Sequence, residues 1–317
     1  MALLARVADR LYWAARYLER AEDTARIIRA YHDLVVDFPG DVMLRWEPLA
    51  AICGNAVTGN ADVTGDHTGD DDSGELAVLQ FLIADRLNPG SVASCVSSCR
   101  ENLRTTREVI PRESWLTINQ LSHYVASAAP GAVRRQSRDR FLARVIDDSR
   151  GVDGVLDSTM TRASPYRLFR LGRLLERADM TTRVLGVRAA ALLQMEQSGV
   201  EPLSEEVQWM GVLRSLSALQ MYQRATKGPI DGEAVVRFLL YYATFPRSVQ
   251  GCLDEIRSVL VALPTPHDVI TALDGAQKVL LDAQPMATDG HELDDAMDRV
   301  QIAIAGLDAA IAARFFH

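Results

Sequence analysis

Two stretches carry residues whose types and spacing could do chemistry. Residues 16–28 read RYLERAEDTARII, and residues 173–185 read RLLERADMTTRVL. At about 100° per residue, Arg16, Glu19, Asp23 and Arg26 fall on one helical stripe, flanked by Arg20 and Glu22. Ala14, Leu18, Ala21, Ala25 and Ile28 form the opposite face. The second stretch repeats the arrangement with Arg173, Glu176, Arg177, Asp179 and Arg183. Carboxylates facing arginines can do three things. They can pair as a buried salt-bridge network, they can leave a guanidinium to bind a carboxylate or phosphate, or they can hold a glutamate as an acid–base group.

The elements that must position these residues are helices. Apolar residues recur at helical spacing almost throughout, and Leu, Ala, Arg and Glu dominate. The pattern predicts long helices near 3–36 and 164–196. Shorter ones are predicted near 43–53, 75–86, 90–109, 112–127, 135–160, 203–225, 232–243, 247–261, 266–284 and 290–315. Punctuation separates them: FPGD, NPGS, IPRES, AAPGA, ASPYR, KGPIDG, LPTP and TDG. The expected fold is all-α, a multi-helix bundle.

A shift of 157 residues superimposes Arg10–Ile28 on Arg167–Leu185 with nine of nineteen positions identical, Arg16/Arg173, Glu19/Glu176, Arg20/Arg177 and Arg26/Arg183 among them. The same shift places residues 81–100 on 238–257, matching Pro89/Pro246, Ser91/Ser248 and Cys95/Cys252. Two blocks in one register imply a tandem duplication. Residues 1–160 and 161–317 are expected to form two helical repeats packed as one globular unit. A solvated face needs charge but not identity, so retention of the Glu-Arg pair in both copies favours an interior or inter-repeat network. Tyr12, Phe169 and Met180 interleaved on the stripe make that burial partly apolar. Pro89 and Pro246 are expected just inside helix starts, with Ser91 and Ser248 on the first turns.

Composition excludes several classes. A net charge of −8 argues against a nucleic-acid or acidic-membrane footprint. Two lysines, Lys227 and Lys278, leave little room for Schiff-base or P-loop chemistry. The four cysteines form no CxxC pair, and no apolar run reaches membrane-spanning length, so a cytoplasmic protein with reduced thiols is expected.

Residues 1–28, MALLARVADRLYWAARYLERAEDTARII, resemble the opening of the bacterial alpha-E family, an all-helical domain with a tandemly duplicated Glu-Arg motif. The resemblance continues through NPGSVASCVSSCRENLRTTREVIPRESWLTIN (88–119), YRLFRLGRLLERADMTTRVL (166–185) and FPRSV (245–249), covering nearly the whole chain. The family motif maps onto Glu19-Arg20 and Glu176-Arg177, and RENLR adds Arg100, Glu101 and Arg104. The acidic stretch at 61–75 departs from the family's compact connection. The resemblance implies work beside a circularly permuted ATP-grasp ligase-like protein and a transglutaminase-like peptidase, in amide-bond synthesis or modification, with no established reaction for the helical component.

Other constellations are weaker. Asp294, Asp295 and Asp298, with Asp71, Asp72 and Glu75, match the aspartate-rich pattern of all-α isoprenoid synthases. However, the first set suits the start of a helix and the second a Gly-rich loop. Cys95 and Cys99 read as small core residues. His32 stands one turn beyond the motif without a nucleophile in reach. The expectation is an accessory or binding component without metal or cofactor, possibly homo-oligomeric, whose Arg/Glu cluster locks the repeats or binds a carboxylate or phosphate. The alternative is an enzyme using Glu19 or Glu176 as acid–base group.

Overall fold

In a computed structural model, residues 4–37, 46–53, 71–198, 205–264, 267–286 and 289–317 are described, the side chains of 47, 71–73 and 189–198 excepted. Thirteen α-helices and no strands occur among the described residues. The two longest are α1 (Ala5–Asp37) and α7 (Ser164–Ser198), which carry the repeated motif.

The chain divides into two compact units. One holds Tyr17–Thr161, and the other holds Arg162–His317 together with Met1–Arg16. Helix α1 therefore contributes its opening turns to one unit and the rest to the other.

In the unit built on 17–161, α1 is followed by α2 (Glu47–Cys53) and α3 (Asp71–Leu79), which runs on as a π-helical turn over Gln80–Ala84. Helix α4 (Val92–Arg104) packs on α5 (Arg112–Ala132), and α5 on α6 (Arg135–Thr159). In the other unit α7 is flanked by α11 (Val249–Val261) and α13 (Gly290–Phe315), with α12 (His267–Ala283) against both. Helices α8 (Glu205–Ser215), α9 (Leu219–Thr226) and α10 (Gly232–Tyr241) complete it. No described helix is long and apolar enough to cross a membrane.

The helix expected over 90–109 already ends at Arg104, and four further boundaries differ from the sequence reading. The single helix expected over 203–225 is two, because Ser217 adopts a left-handed conformation (φ 53°) that ends α8. Helix α5 runs through Pro130 to Ala132, the missing proline N–H falling in its last turn. Asp71, Asp72 and Glu75 sit on α3 rather than in a loop; residues 43–45 of the expected second helix and 61–70 of the acidic stretch lie outside the described residues.

The fourth concerns the prolines. Pro89 and Pro246 lie outside their helices, while Ser91 and Ser248 are the N-caps of α4 and α11, accepting from the backbone N–H of Ser94 (3.1 Å) and Gly251 (2.9 Å). A serine hydroxyl satisfies an orphan amide that proline inside the first turn would merely remove. The same device recurs in each unit: Cys95 Sγ lies 3.4 Å from the Pro89 carbonyl and Cys252 Sγ 3.5 Å from that of Pro246.

Gly172 shows how tightly α7 meets the opening turns of α1. A Cβ there would lie 2.2 Å from the Tyr12 carbonyl oxygen, a backbone atom that cannot turn aside. Gly275, inside α12, has nothing within 4 Å of its would-be Cβ. Chemical denaturation of Gly172→Ala is expected to show a loss of about 3 kcal/mol or more, from overpacking against backbone. Gly275→Ala is expected to gain up to about 1 kcal/mol from helix propensity. Equal effects at both positions would contradict the close approach.

Candidate functional site

The motif helices are buried on almost every side. From Ala14 through Ile28 only Tyr17 and Arg20 reach even partial exposure, and Leu171–Thr182 are buried without a break. Glu19 is 1% exposed and Glu176 0%; Arg16, Glu22, Asp23, Arg26, Arg173, Arg177 and Asp179 are buried too, while Arg20 and Arg183 are half-buried. Of the four residues expected inside, Glu19, Glu176 and Arg177 are buried and Arg20 is half-buried. At Gly172 the missing β-carbon lets the backbone of α7 approach Tyr12 closely enough for charged side chains to meet inside.

Arg16 is the hub of the unit containing α7. One turn beyond the Tyr12–Gly172 approach, its Nε donates to Glu176 Oε2 at 2.7 Å, and its Nη1 lies 2.8 Å from Asp308 Oδ1 on α13. The Tyr12 hydroxyl donates to the same Asp308 oxygen. The Tyr12 and Trp13 rings flank the guanidinium at 5.9 and 5.3 Å, and Phe316 packs against Tyr12 at 5.1 Å. Asp308, 29% exposed at its side chain, is the network's outlet to solvent.

Burial alone would lower the Arg16 pKa, but Glu176, Tyr12 and Asp308 outweigh it and hold the group well above its ordinary value. The Tyr12 phenol is raised by burial and then by Asp308. Asp179 is raised, first by burial and further by Glu176, against the opposing pull of Arg183 at 2.8 Å. Arg177 Nη1 reaches the Pro246 carbonyl in a long 3.5 Å contact, and Thr181 Oγ1 donates to the Arg247 carbonyl at 2.9 Å, tying the motif to the segment that caps α11.

In the other unit, Glu22 takes Arg150 Nε at 3.1 Å and Arg26 Nε at 3.6 Å, and Arg26 also pairs with Asp23. Glu22–Arg26 and Asp179–Arg183 are the same pair at equivalent positions. Arg100, Glu101 and Arg104 are not drawn into such a cluster. They form an outer group in which Glu101 and Arg104 are 49% exposed, and Arg100 lies over Trp115 and donates to Asn119 at 2.8 Å.

A second buried cluster had no sequence signal. Arg138 Nη2 lies 2.7 Å from Glu75 Oε1 and donates to the Val133 carbonyl at 2.7 Å, its Nη1 donates to His32 Nδ1 at 3.3 Å, and its guanidinium covers Trp46 at 5.4 Å. Arg135 adds a 3.1 Å bond to Glu75 Oε2. Burial works to raise the Glu75 pKa, but the two arginines prevail and lower it. Burial and Arg138 lower that of His32. Asp308 was missed as well, though a lone acid in the Ala-rich run AGLDAAIAAR is a legible hint.

Among the described residues no group of three or more His, Cys, Asp or Glu is placed to hold a metal ion. Asp294, raised by burial and then by Asp298 and Asp295, belongs to the opening turns of α13. All four cysteines are buried thiols outside any disulfide.

The Alpha-E family, described as a predicted alpha-helical domain with a conserved ER motif, matches residues 3–316. Uncharacterized proteins of Mycobacterium bovis and Mycobacterium tuberculosis are 26% identical over 272 residues, covering 82% of this chain and 30% of theirs. The chain thus spans under a third of the length of these relatives. No solved structure matches it.

Two outcomes follow. Glu176→Gln leaves Arg16 short of a buried counter-charge and is expected to cost about 3–5 kcal/mol in denaturant titrations. Glu233→Gln, in the exposed Glu233–Arg237 pair, is expected to cost under about 1 kcal/mol. For His32 the lowered folded pKa means that the fold favours the neutral ring. That contribution is intact above the unfolded value near 6.5 and is lost as pH falls below it. Glu75, with its lowered pKa, loses its contribution only below about 4.5. Between pH 7 and 5.5 the wild type is expected to lose stability that His32→Gln retains; parallel pH profiles would contradict the pairing with Arg138.

Proposed function

The chain belongs to the Alpha-E family, and from that premise we propose that it is an accessory helical component of an ATP-grasp-associated amide-bond-forming or modifying system. In this reading the Glu-Arg motif locks the fold and carries no chemistry of its own. The observation that carries it is the pairing of Arg16 with two carboxylates of its own chain. Its guanidinium spends Nε on Glu176 and Nη1 on Asp308, with aromatic rings beside it, which leaves the strongest cation of the cluster turned to its own chain. An acid–base role for Glu176 would require the carboxylate to reach a substrate, whereas it is fully buried and held by Arg16.

The accessory role draws support from length. Relatives that devote under a third of their chain to this region have room for other modules beside it, and a helical platform suits such an arrangement. An ATP-grasp ligase-like protein and a transglutaminase-like peptidase are the proposed partners, and the cytoplasm the proposed compartment.

The test is reconstitution. The chain is co-purified with an ATP-grasp-type protein encoded beside it, and ATP consumption is followed with each component omitted. The expected result is stable association, no turnover by the helical chain alone, and at least a tenfold fall in the ligase's ATP consumption when the chain is left out. Turnover by the chain alone, or failure of the two to associate, overturns the reading. Glu176→Gln, assayed at a temperature where it remains folded, is expected to support the partner as wild type does.

A further inference from the structure

Arginine is buried repeatedly in this protein, and two instances show the terms on which that happens. Arg16 meets two carboxylates, and Arg138 meets Glu75, a backbone carbonyl and a histidine nitrogen. Arg188, on α7, departs from this pattern. It is 7% exposed, yet among the described residues neither its Nε nor its Nη1, both shut off from solvent, has a hydrogen-bond partner.

What Arg188 does have is a platform. Its guanidinium lies over the indole of Trp209, 5.1 Å from the ring centre. Trp209 is fully buried and fixed from two sides. Its Nε1 donates to Glu205 Oε1 at 3.1 Å, and Gly232 stands so close that a Cβ there would fall 2.6 Å from that nitrogen. Stacking on an indole recovers part of the lost hydration of a cation, but it uses the guanidinium face and leaves the in-plane N–H groups without acceptors. Burial pushes the Arg188 pKa down to about 10, with Glu205 acting against the fall, so the group keeps its charge at neutral pH. A buried cation with idle in-plane donors on a rigid aromatic plate is half of an oxyanion site.

We propose that Arg188, held on Trp209, binds a singly charged carboxylate. Glu205, whose charge already acts on Arg188, opposes a dianion such as hydrogen phosphate more strongly than a monoanion. The carboxylate comes either from a free small acid or from a peptide C-terminus, which present the same group. The site is separate from the Arg16 network and does not depend on the accessory role proposed above.

The test is thermal denaturation of the full chain at constant ionic strength, titrated with sodium acetate, with inorganic phosphate, and with an N-acetylated tripeptide as free acid or C-terminal amide. A ligand bound only to the folded state raises Tm by about 3 °C for each tenfold increase above its Kd. Stabilisation by acetate and by the acid peptide alike identifies a small-acid site; stabilisation by the acid peptide alone identifies a peptide-terminus site. In both cases phosphate and the amide are expected to be inert, and Arg188→Met to abolish the shift while being no less stable than wild type without ligand. Arg188→Gln, which keeps donors but not charge, serves should the methionine variant fail to fold. Absence of any carboxylate-dependent shift in the wild type, or an equal shift in both variants, overturns the proposal.

Discussion

The ion pair between Arg16 and Glu176 depends on a missing side chain. At Gly172 the backbone of α7 comes so near the Tyr12 carbonyl that no β-carbon fits. One turn further along each helix, that approach leaves Arg16 Nε 2.7 Å from Glu176. A guanidinium removed from water is tolerated when its donors find charge in good geometry, and both its carboxylates do that here. Asp308 then draws α13 onto the same hub, and Tyr12 shares the acceptor. The opening turns of α1 therefore belong to the unit formed by residues 162–317.

Several buried acids have an adjacent cation, often one helical turn away. Glu22 with Arg26 and Asp179 with Arg183 repeat one pair at equivalent positions. Where Asp23 gives Arg26 a second carboxylate, the equivalent residue is Met180, and Arg183 stays half-buried. Asp179 is the exception that shows the cost of the arrangement. Buried beside Glu176, it is pushed toward protonation even with Arg183 in contact. Arrangements of this kind favour the helix pairings that bring each charge to its partner.

The fold was largely legible because helical periodicity and Gly/Pro punctuation are local signals, and the motif helices were found within two residues. What failed was conformational detail that neighbours decide. Ser217 enters the left-handed region with no glycine to announce it, and Pro130 sits inside the last turn of α5 instead of ending it. The burial of Glu19, Glu176 and Arg177 was legible from an internal comparison, since side chains retained in both copies are those whose geometry matters. Their partners were not, because pairing with Asp308 across 292 residues of chain (308 − 16) is set by packing. Arg138 was hidden for the opposite reason: in RRQSRDR a buried charge looks like its exposed neighbours, while Glu75 was read only as part of an aspartate-rich pattern.

The proposed structural lock requires that Arg16 and Glu176 act on each other. The most direct measurement is a double-mutant cycle on unfolding free energy, with Arg16→Met, Glu176→Gln and the double variant under identical conditions. A lock predicts strong coupling, with the double variant more stable than the sum of the single losses by about 1.5 kcal/mol or more, since removing both charges strands neither. Additive losses, with coupling within about 0.5 kcal/mol of zero, would contradict the claim and return the motif to the surface-charge reading.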